Sequence, residues 1–176
     1  KRFRFSFCPF IGPQPFETAH AEFFFGRETI TQQLFQLTAS TRLCAVIGAS
    51  GIGKTSLLKA GLIPYLQGQG PDPATHSPDI RYMVPGIHPL KHLAEAFVSP
   101  RSTGLKRAEE IRRAESFLHQ GTHGFTQLIQ AITGTSSPHT DQVRPLVLIV
   151  DQFEQLFPAE VSQEFESERR LVIDCL

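Results

Sequence analysis

The sequence has no surplus of charge of either sign. It contains 17 Lys and Arg residues against 17 Asp and Glu residues, so its formal net charge is 0. Because proteins that bind nucleic-acid backbones depend on a basic surplus, we do not expect nucleic acid as a partner. No apolar run approaches the roughly 20 residues of a membrane-spanning helix, so no membrane association is expected either.

Cysteine is scarce, and histidine is scattered. Cys8, Cys44 and Cys175 are odd in number and lack the spacing of a metal site or a disulfide framework. No signal-peptide pattern is present, so we expect a cytoplasmic protein in which Cys44 is a buried strand residue. His88 and His92 are four residues apart on a predicted helix. Without a third ligand nearby, we expect them on the surface rather than at a metal.

The sequence does contain a phosphate-binding motif. Residues 48–55 read Gly-Ala-Ser-Gly-Ile-Gly-Lys-Thr, a full match to G-x-x-x-x-G-K-[ST]. Glycines let the backbone curl tightly and point its N–H groups at a phosphate. Lys54 would bring a positive charge to the outer phosphates, and the Thr55 hydroxyl would ligate Mg²⁺. The predicted nucleotide-binding residues are Gly48, Ser50, Gly51, Ile52, Gly53, Lys54, Thr55 and Ser56.

The residues on either side fit this motif. Residues 43–47 form a short apolar run with β-branched members, which predicts a strand buried on both faces. Residues 56–60 are good helix formers. Strand, glycine-rich loop and helix in this order are typical of the P-loop. The alternative is a glycine-rich turn that binds no ligand.

A second motif ends in an acid. Residues 146–150 are apolar and predict a core strand of a parallel sheet, with Asp151 at the carboxyl end, where open α/β sheets bind ligands. Asp151 could hold Mg²⁺ there, directly or through water. Glu154 could orient or deprotonate the water that attacks the γ-phosphate, so Glu154 and Lys54 are the predicted catalytic residues. The alternatives are a strand that simply meets a turn, and a solvated or capping carboxylate at Glu154.

With further matching blocks, these motifs resemble the nucleotide-binding module of STAND-class P-loop NTPases, which are signal-transduction ATPases with numerous domains. The resemblance is closest to the bacterial novel STAND NTPase 1 group, commonly fused to WD40 repeats. The blocks are Cys8–Phe16, the FFGRE-like Phe23–Glu28, Gly48–Ser56 followed by Ala60–Pro64, and Asp151–Phe157, which is similar to the DQFEELF signature.

The resemblance implies an α/β fold. It would be a P-loop NTPase domain of the additional-strand type, with three α/β/α layers and a parallel sheet of strand order 5-1-4-3-2. Strands 1, 2 and 3 are expected near 43–47, 80–84 and 146–150. Strands 4 and 5 would follow Leu176, so the domain would be truncated after the strand over 146–150 that ends in Asp151, which corresponds to the Walker B strand of the family. The expected organisation is an extended N-terminal linker over 1–22 and the first part of the NTPase domain over 23–176. Expressed alone, residues 1–176 are expected to be unstable or aggregated.

The resemblance also assigns a role to the Phe23–Glu28 block. Gly26 and Arg27 would line the nucleotide site, while the three Phe are expected mainly in the core. The alternative is that Arg27 and Glu28 only cap the next helix. Val84 departs from the group, which often has Arg in an Arg-Pro-Gly sequence at this point, and Arg81 could substitute for that Arg.

Periodicity predicts the remaining elements. Helices are expected over 27–38, 89–98, 105–119, 125–132 and 162–176, and loops over 66–79 and 134–144. The residues expected on buried helix faces are Ile30, Leu34, Leu37, Leu105, Ala108, Ile111, Phe165, Leu171 and Val172.

Two function classes follow. In the first, an ATP-dependent switch binds ATP and Mg²⁺ and hydrolyses ATP slowly to an ADP-bound resting state. Exchange would then promote self-association and activate an attached effector, with WD40-like sensor repeats in the full-length protein. In the second, the nucleotide is a structural ligand of a scaffold with negligible turnover. Glu154 favours the first class, because a structural site needs no second acid. A metabolic kinase or transport ATPase is less favoured, since no transporter signature is present.

Overall fold

The computed structural model describes residues 12–69, 78–133 and 145–176. The chain divides into two compact units, with the boundary between Pro78 and Asp79. Helices and a small parallel sheet occur together, as in an α/β NTPase-like fold. The predicted loop 134–144 lies outside the described residues. Within the described ranges, no helix combines the length and apolar character needed to cross a membrane.

In the described part of the first unit, helices precede and follow the phosphate-loop motif. A 3-10 helix covers Thr18–Phe23, α1 covers Glu28–Ser40, and α2 begins after the motif and covers Lys54–Ser56. From α2 the helical path continues in wider, π-type turns over Leu57–Leu62, and further turns cover Tyr65–Gln69.

A glycine allows the helices of the first unit to pack closely. Gly61 lies in the π-type turns, and a Cβ atom built there would come within 2.8 Å of Thr31 Oγ1 on α1. Thr31 is buried, and its hydroxyl donates to the Arg27 carbonyl at 2.8 Å. A side chain at residue 61 would therefore push α1 away from the helix that follows the motif.

The predicted buried strand over residues 43–47 is wrong. The structure assigns no strand there, Ile47 is 92% exposed, and Cys44 is half-buried rather than buried. A strand needs a partner for its backbone groups, and the sheet in the described part of the chain is formed by two other segments. An apolar run with β-branched residues indicates a preference for extended backbone, but it does not specify a neighbouring strand with which to pair.

Other expectations for the first unit need smaller corrections. The N-terminal linker is not simply extended, because the 3-10 helix covers Thr18–Phe23. The predicted loop over 66–79 is wrong at both ends, since helical turns reach Gln69 and β1 begins at Asp79, while residues 70–77 lie outside the described residues. Phe25 is 77% exposed, so the Phe block is not a core cluster, and of the predicted α1 face Leu34 is buried while Ile30 and Leu37 are exposed.

The second unit contains the sheet. β1 covers Asp79–Met83 and β2 covers Leu146–Val150. The strands are parallel, with Asp79 opposite Leu146 and Met83 opposite Val150. This confirms both predicted strands and agrees with an order in which strands 3 and 2 are neighbours. The three-layer arrangement and the remaining strands stay predictions.

Among the described residues of the second unit, four helices and a short turn accompany the sheet. A 3-10 turn over Phe153–Leu156 follows β2. The helices are α3 over Pro89–Ala96, α4 over Gly104–Leu118, α5 over Gly121–Thr133 and α6 over Gln163–Cys175. These bounds confirm the four predicted helices, although α5 begins earlier than expected.

The core of the second unit draws residues from several elements. Leu93 of α3, Leu118 of α4, Leu156 of the 3-10 turn and Val172 of α6 are fully buried in one cluster. Val172 thus confirms its prediction. Leu105 does not, because it is 91% exposed at the start of α4.

Candidate nucleotide-binding site

Two glycines shape the phosphate-loop motif. Gly51 and Gly53 have φ values of 77° and 93°, in the left-handed region that side chains disfavour. Gly53 caps the start of α2, and its carbonyl accepts a hydrogen bond from the Leu57 N–H at 2.9 Å. The loop residues 48–53 are exposed. The chain therefore makes a tight, accessible turn that leads directly into a helix at Lys54, as the motif predicts.

Lys54 bends back over this loop. Its Nζ donates to the Gly48 carbonyl at 2.9 Å and to the Ala49 carbonyl at 3.1 Å. The ammonium group is thus held across the loop, next to the backbone that the motif would offer to a phosphate. Thr55 follows, half-buried, in the first turn of the helix.

The Ser56 side chain has a structural partner that the sequence did not indicate. Ser56 is buried, and its hydroxyl accepts a hydrogen bond from the Phe16 N–H at 3.0 Å. Nearby, Thr18 Oγ1 donates to the Lys59 carbonyl at 3.0 Å, and Lys59 Nζ lies 2.8 Å from Glu17 Oε1. These contacts join residues 16–18, at the start of the 3-10 helix, to the helix after the loop. No local pattern marks them, because the partners are about 40 residues apart in sequence.

The structure brings Arg27 to the loop. Its Nη2 lies 3.5 Å from the Ile52 carbonyl oxygen. Gly26 turns the chain just before α1 with φ of 78°, and its N–H donates to Glu28 Oε1 at 2.9 Å. The backbone N–H groups of Glu28 itself and of Gly26 lower the pKa of the Glu28 carboxyl. Arg27 directly precedes α1, but its side chain makes no capping hydrogen bond to that helix.

In the second unit, Asp151 is held by hydrogen bonds on both carboxylate oxygens. The Tyr82 hydroxyl donates to Oδ2 at 2.7 Å and the Gln152 N–H donates to Oδ1 at 2.9 Å. The Asp151 N–H donates to the Met83 carbonyl at 2.9 Å, which extends the strand pairing by one residue. With Asp151 only 4% exposed, these contacts fix an acid at the carboxyl end of β2, as the sequence predicted.

Glu154 lies on the 3-10 turn that follows. Its side chain is exposed, while Leu156 of the same turn is fully buried and anchors the turn to the core. Gln155 accepts a hydrogen bond from the Gly86 N–H at 2.9 Å and donates to the Gln152 side chain. The turn is thus fixed at several points, and the Glu154 carboxylate extends from it into solvent.

Arg81 has partners that leave it little freedom to substitute for the missing Arg. Its Nη2 lies 2.7 Å from Asp79 Oδ2, and its Nη1 donates to the Ala96 carbonyl at 3.1 Å. The guanidinium also lies over the Phe97 ring, 5.7 Å from the centroid. Arg81 therefore joins β1 to α3.

His92 is not the surface residue that was expected. It is half-buried, with Nδ1 at 3.0 Å from the Val84 carbonyl oxygen and 2.8 Å from that of Pro85. His88 is exposed and directly precedes α3. His92 thus stabilises the loop after β1.

The donor atoms of the predicted metal ligands fit Mg²⁺. Thr55 offers a hydroxyl oxygen and Asp151 carboxylate oxygens, the ligand type that Mg²⁺ prefers. In phosphoryl-transfer sites this ion usually takes one or two protein ligands and completes its shell with phosphates and water. Across the described ranges, no group of three or more His, Cys, Asp or Glu residues could hold a metal ion by itself.

Comparison with known proteins identifies the family. No curated protein and no solved structure gave a significant match to the chain. The family model for novel STAND NTPase 1, in contrast, matches residues 9–176, nearly the whole sequence, including both motifs and the FFGRE-like block. The chain therefore belongs to the novel STAND NTPase 1 family.

Proposed function

We propose that this chain is the ATP-binding, slowly hydrolysing switch module of a multidomain signalling protein. The observation that carries the proposal is the exposed loop 48–53, which turns at Gly51 and Gly53 and leads into a helix at Lys54. A loop of this kind offers backbone N–H groups and a lysine to phosphates. Membership of an NTPase family supports the proposal independently of that geometry.

The nucleotide would be bound mainly by the motif. Lys54 would exchange its hydrogen bonds to loop carbonyls for stronger, charge-assisted ones to phosphate oxygens. Arg27, next to the Ile52 carbonyl, would add a second positive charge to this surface. The proposed binding residues are Gly48, Ser50, Gly51, Ile52, Gly53, Lys54, Thr55 and Ser56, with Gly26 and Arg27.

Thr55 and Asp151 are the proposed ligands of Mg²⁺, directly or through water. When bound, Mg²⁺ neutralises charge that develops on the phosphate oxygens during transfer. Glu154 is the proposed residue that orients or deprotonates the attacking water. Its exposure on the 3-10 turn that follows β2 supports this role, because the carboxylate is accessible to water and to a ligand.

ATP hydrolysis would control a conformational switch rather than drive a metabolic reaction. A slow reaction would leave ADP bound in a resting state, and exchange for ATP would favour self-association and activation of an attached effector. A ligand shifts such an equilibrium only if it binds the two conformations with different affinity. Sensor repeats of the WD40 type elsewhere in the full-length protein would supply the signal.

The test is to identify nucleotide that purifies with the protein. The full chain is purified without added nucleotide, denatured, and the released compounds are identified by chromatography and mass spectrometry. We expect ADP close to one per chain from the wild type and none from Lys54→Ala, which loses the charge on the phosphates. Glu154→Gln should release ATP instead, because hydrolysis is blocked while binding is retained.

The outcomes separate the function classes. ADP in both the wild type and Glu154→Gln, with equal turnover, would contradict the catalytic role of Glu154 and favour a scaffold with a structural nucleotide. Nucleotide bound equally by the wild type and Lys54→Ala would contradict the phosphate-loop assignment. Lys91→Ala, which changes an exposed lysine of α3, is the matched control for removal of a positive charge.

A further inference from the structure

Tyr82 contacts Asp151, the acid at the end of β2. Tyr82 belongs neither to the phosphate-loop motif nor to the motif that ends in Asp151. Its hydroxyl donates to Asp151 Oδ2 at 2.7 Å, and the Gln152 N–H donates to Oδ1 at 2.9 Å. Asp151 is buried, so these hydrogen bonds are formed away from bulk water, where they are stronger. The orientation of the carboxylate is therefore set from two sides, and one of the two donors is a side chain.

The strand register explains this contact. Tyr82 lies opposite Ile149 in the parallel pair, and residues two apart on a strand point to the same face. Asp151 follows Ile149 by two residues, and its N–H continues the ladder to the Met83 carbonyl at 2.9 Å. Tyr82 and Asp151 thus lie on one face of the sheet, and the length of a tyrosine side chain brings its hydroxyl to the carboxylate.

We propose that Tyr82 is a positioning residue for Mg²⁺, acting through Asp151. The inference depends on the proposed function, in which Asp151 is a ligand of that ion. A carboxylate can accept about four hydrogen bonds, so the donors from Tyr82 and Gln152 leave acceptor positions for the ion or for its water. Tyr82 touches neither nucleotide nor metal in this scheme. It fixes which way the remaining lone pairs point.

The chain offers a matched control. It contains two tyrosines and no tryptophan. The other, Tyr65, lies in the helical turns of the first unit, with its ring 5.8 Å from that of Phe35. Tyr82→Phe and Tyr65→Phe each remove one phenolic hydroxyl group, but only Tyr82→Phe removes a hydrogen-bond donor to Asp151.

The first test compares ADP binding with and without Mg²⁺ in the full chain. A fluorescent ADP analogue is titrated into protein freed of bound nucleotide, at a series of Mg²⁺ concentrations and in excess EDTA. Loss of a group that orients a metal ligand typically weakens metal affinity about 10–100-fold. We therefore expect Tyr82→Phe to raise the Mg²⁺ concentration at half-effect by that factor and to leave binding in EDTA unchanged. Tyr65→Phe should match the wild type in both conditions.

An unchanged Mg²⁺ midpoint in Tyr82→Phe would overturn the inference, as would an equal loss of binding with and without Mg²⁺. If the wild type binds ADP and only the Tyr82 effect is missing, the proposed function stands without this inference. If the wild type binds no nucleotide under any condition, the proposed function fails and the inference fails with it.

A second test requires no substitution of Tyr82, in case Tyr82→Phe does not fold. The full chain is labelled with 3-fluorotyrosine. The Tyr82 fluorine resonance is identified as the signal that remains in Tyr65→Phe. Addition of ADP with Mg²⁺ should shift this resonance, while ADP in EDTA should not. A resonance that responds equally in both conditions, or in neither, would contradict a link between Tyr82 and the ion.

Discussion

At the scale of single residues, Gln152 has a strained backbone conformation directly after Asp151. It is the one non-glycine residue with positive φ in the described ranges, at 55°. Left-handed backbone costs a side-chain-bearing residue about 1–2 kcal/mol, and such strain often accompanies functional sites. In return, the Gln152 N–H reaches Asp151 Oδ1, and its side chain accepts a hydrogen bond from Gln155. Gln152, in its strained conformation, therefore helps to orient the carboxylate of Asp151, the residue before it.

This gives a prediction for a pair of variants. Gln152→Gly and Gln152→Val both remove the side-chain amide, but glycine accepts the left-handed backbone and a β-branched residue does not. We expect Gln152→Val to be less stable than Gln152→Gly by about 1–2 kcal/mol, measured by chemical denaturation. Equal stabilities would show that residue 152 is not held in this conformation.

At the scale of elements, α4 shows how burial is distributed along one helix. Leu118, at its end, is 0% exposed and packs in the cluster with Leu93 and Val172, whereas Leu105, at its start, is 91% exposed. The two leucines have the same chemistry and the same helix. Only the neighbours of Leu118, from other helices of the second unit, make it part of the core.

The two leucines provide a matched test of that core. Leu118→Ala should destabilise the protein by about 2–5 kcal/mol, because it removes buried atoms and leaves a cavity. Leu105→Ala should change stability by no more than about 0.5 kcal/mol, as is usual for exposed positions. Denaturation curves of both variants check this. A similar cost for both would contradict the assignment of the buried face of α4.

At the scale of the whole molecule, the proposed ligand should stabilise the folded state. A ligand that binds only the folded protein adds RT ln(1 + [L]/Kd), about 2.7 kcal/mol at a hundredfold excess over Kd. The prediction is that ADP with Mg²⁺ at that excess raises the free energy of unfolding of the nucleotide-free wild type by this amount, and that Lys54→Ala abolishes the gain. Lys91→Ala should keep it. A full gain in Lys54→Ala would mean that the ligand binds elsewhere.

Much of the secondary structure could be predicted because it depends on local pattern. The strand over 146–150 agrees with β2, and the helices over 89–98, 105–119 and 162–176 agree with α3, α4 and α6 within a few residues. The glycines of the phosphate loop were predictable for the same reason, since only a residue without Cβ accepts left-handed backbone easily. The roles of these loop residues in nucleotide binding stay predictions.

Contacts between distant segments were not predictable. The hydrogen bond from Phe16 to Ser56, the Tyr82–Asp151 pair and the half-buried His92 each depend on where another segment lies. The predicted strand over 43–47 was wrong for this reason, since an apolar run cannot specify its pairing partner.

By itself the sequence determined the family, the phosphate-loop motif, the acid after a parallel strand, and the order of most elements. These depend on residue type and short-range spacing, which a linear sequence contains in full. The tertiary structure alone decided which of these residues are buried and which donors hold them. Burial and hydrogen bonding are set by neighbours in space. Phe16, the donor to Ser56, is 40 residues away along the chain, and Tyr82, one of the donors to Asp151, is 69 residues away.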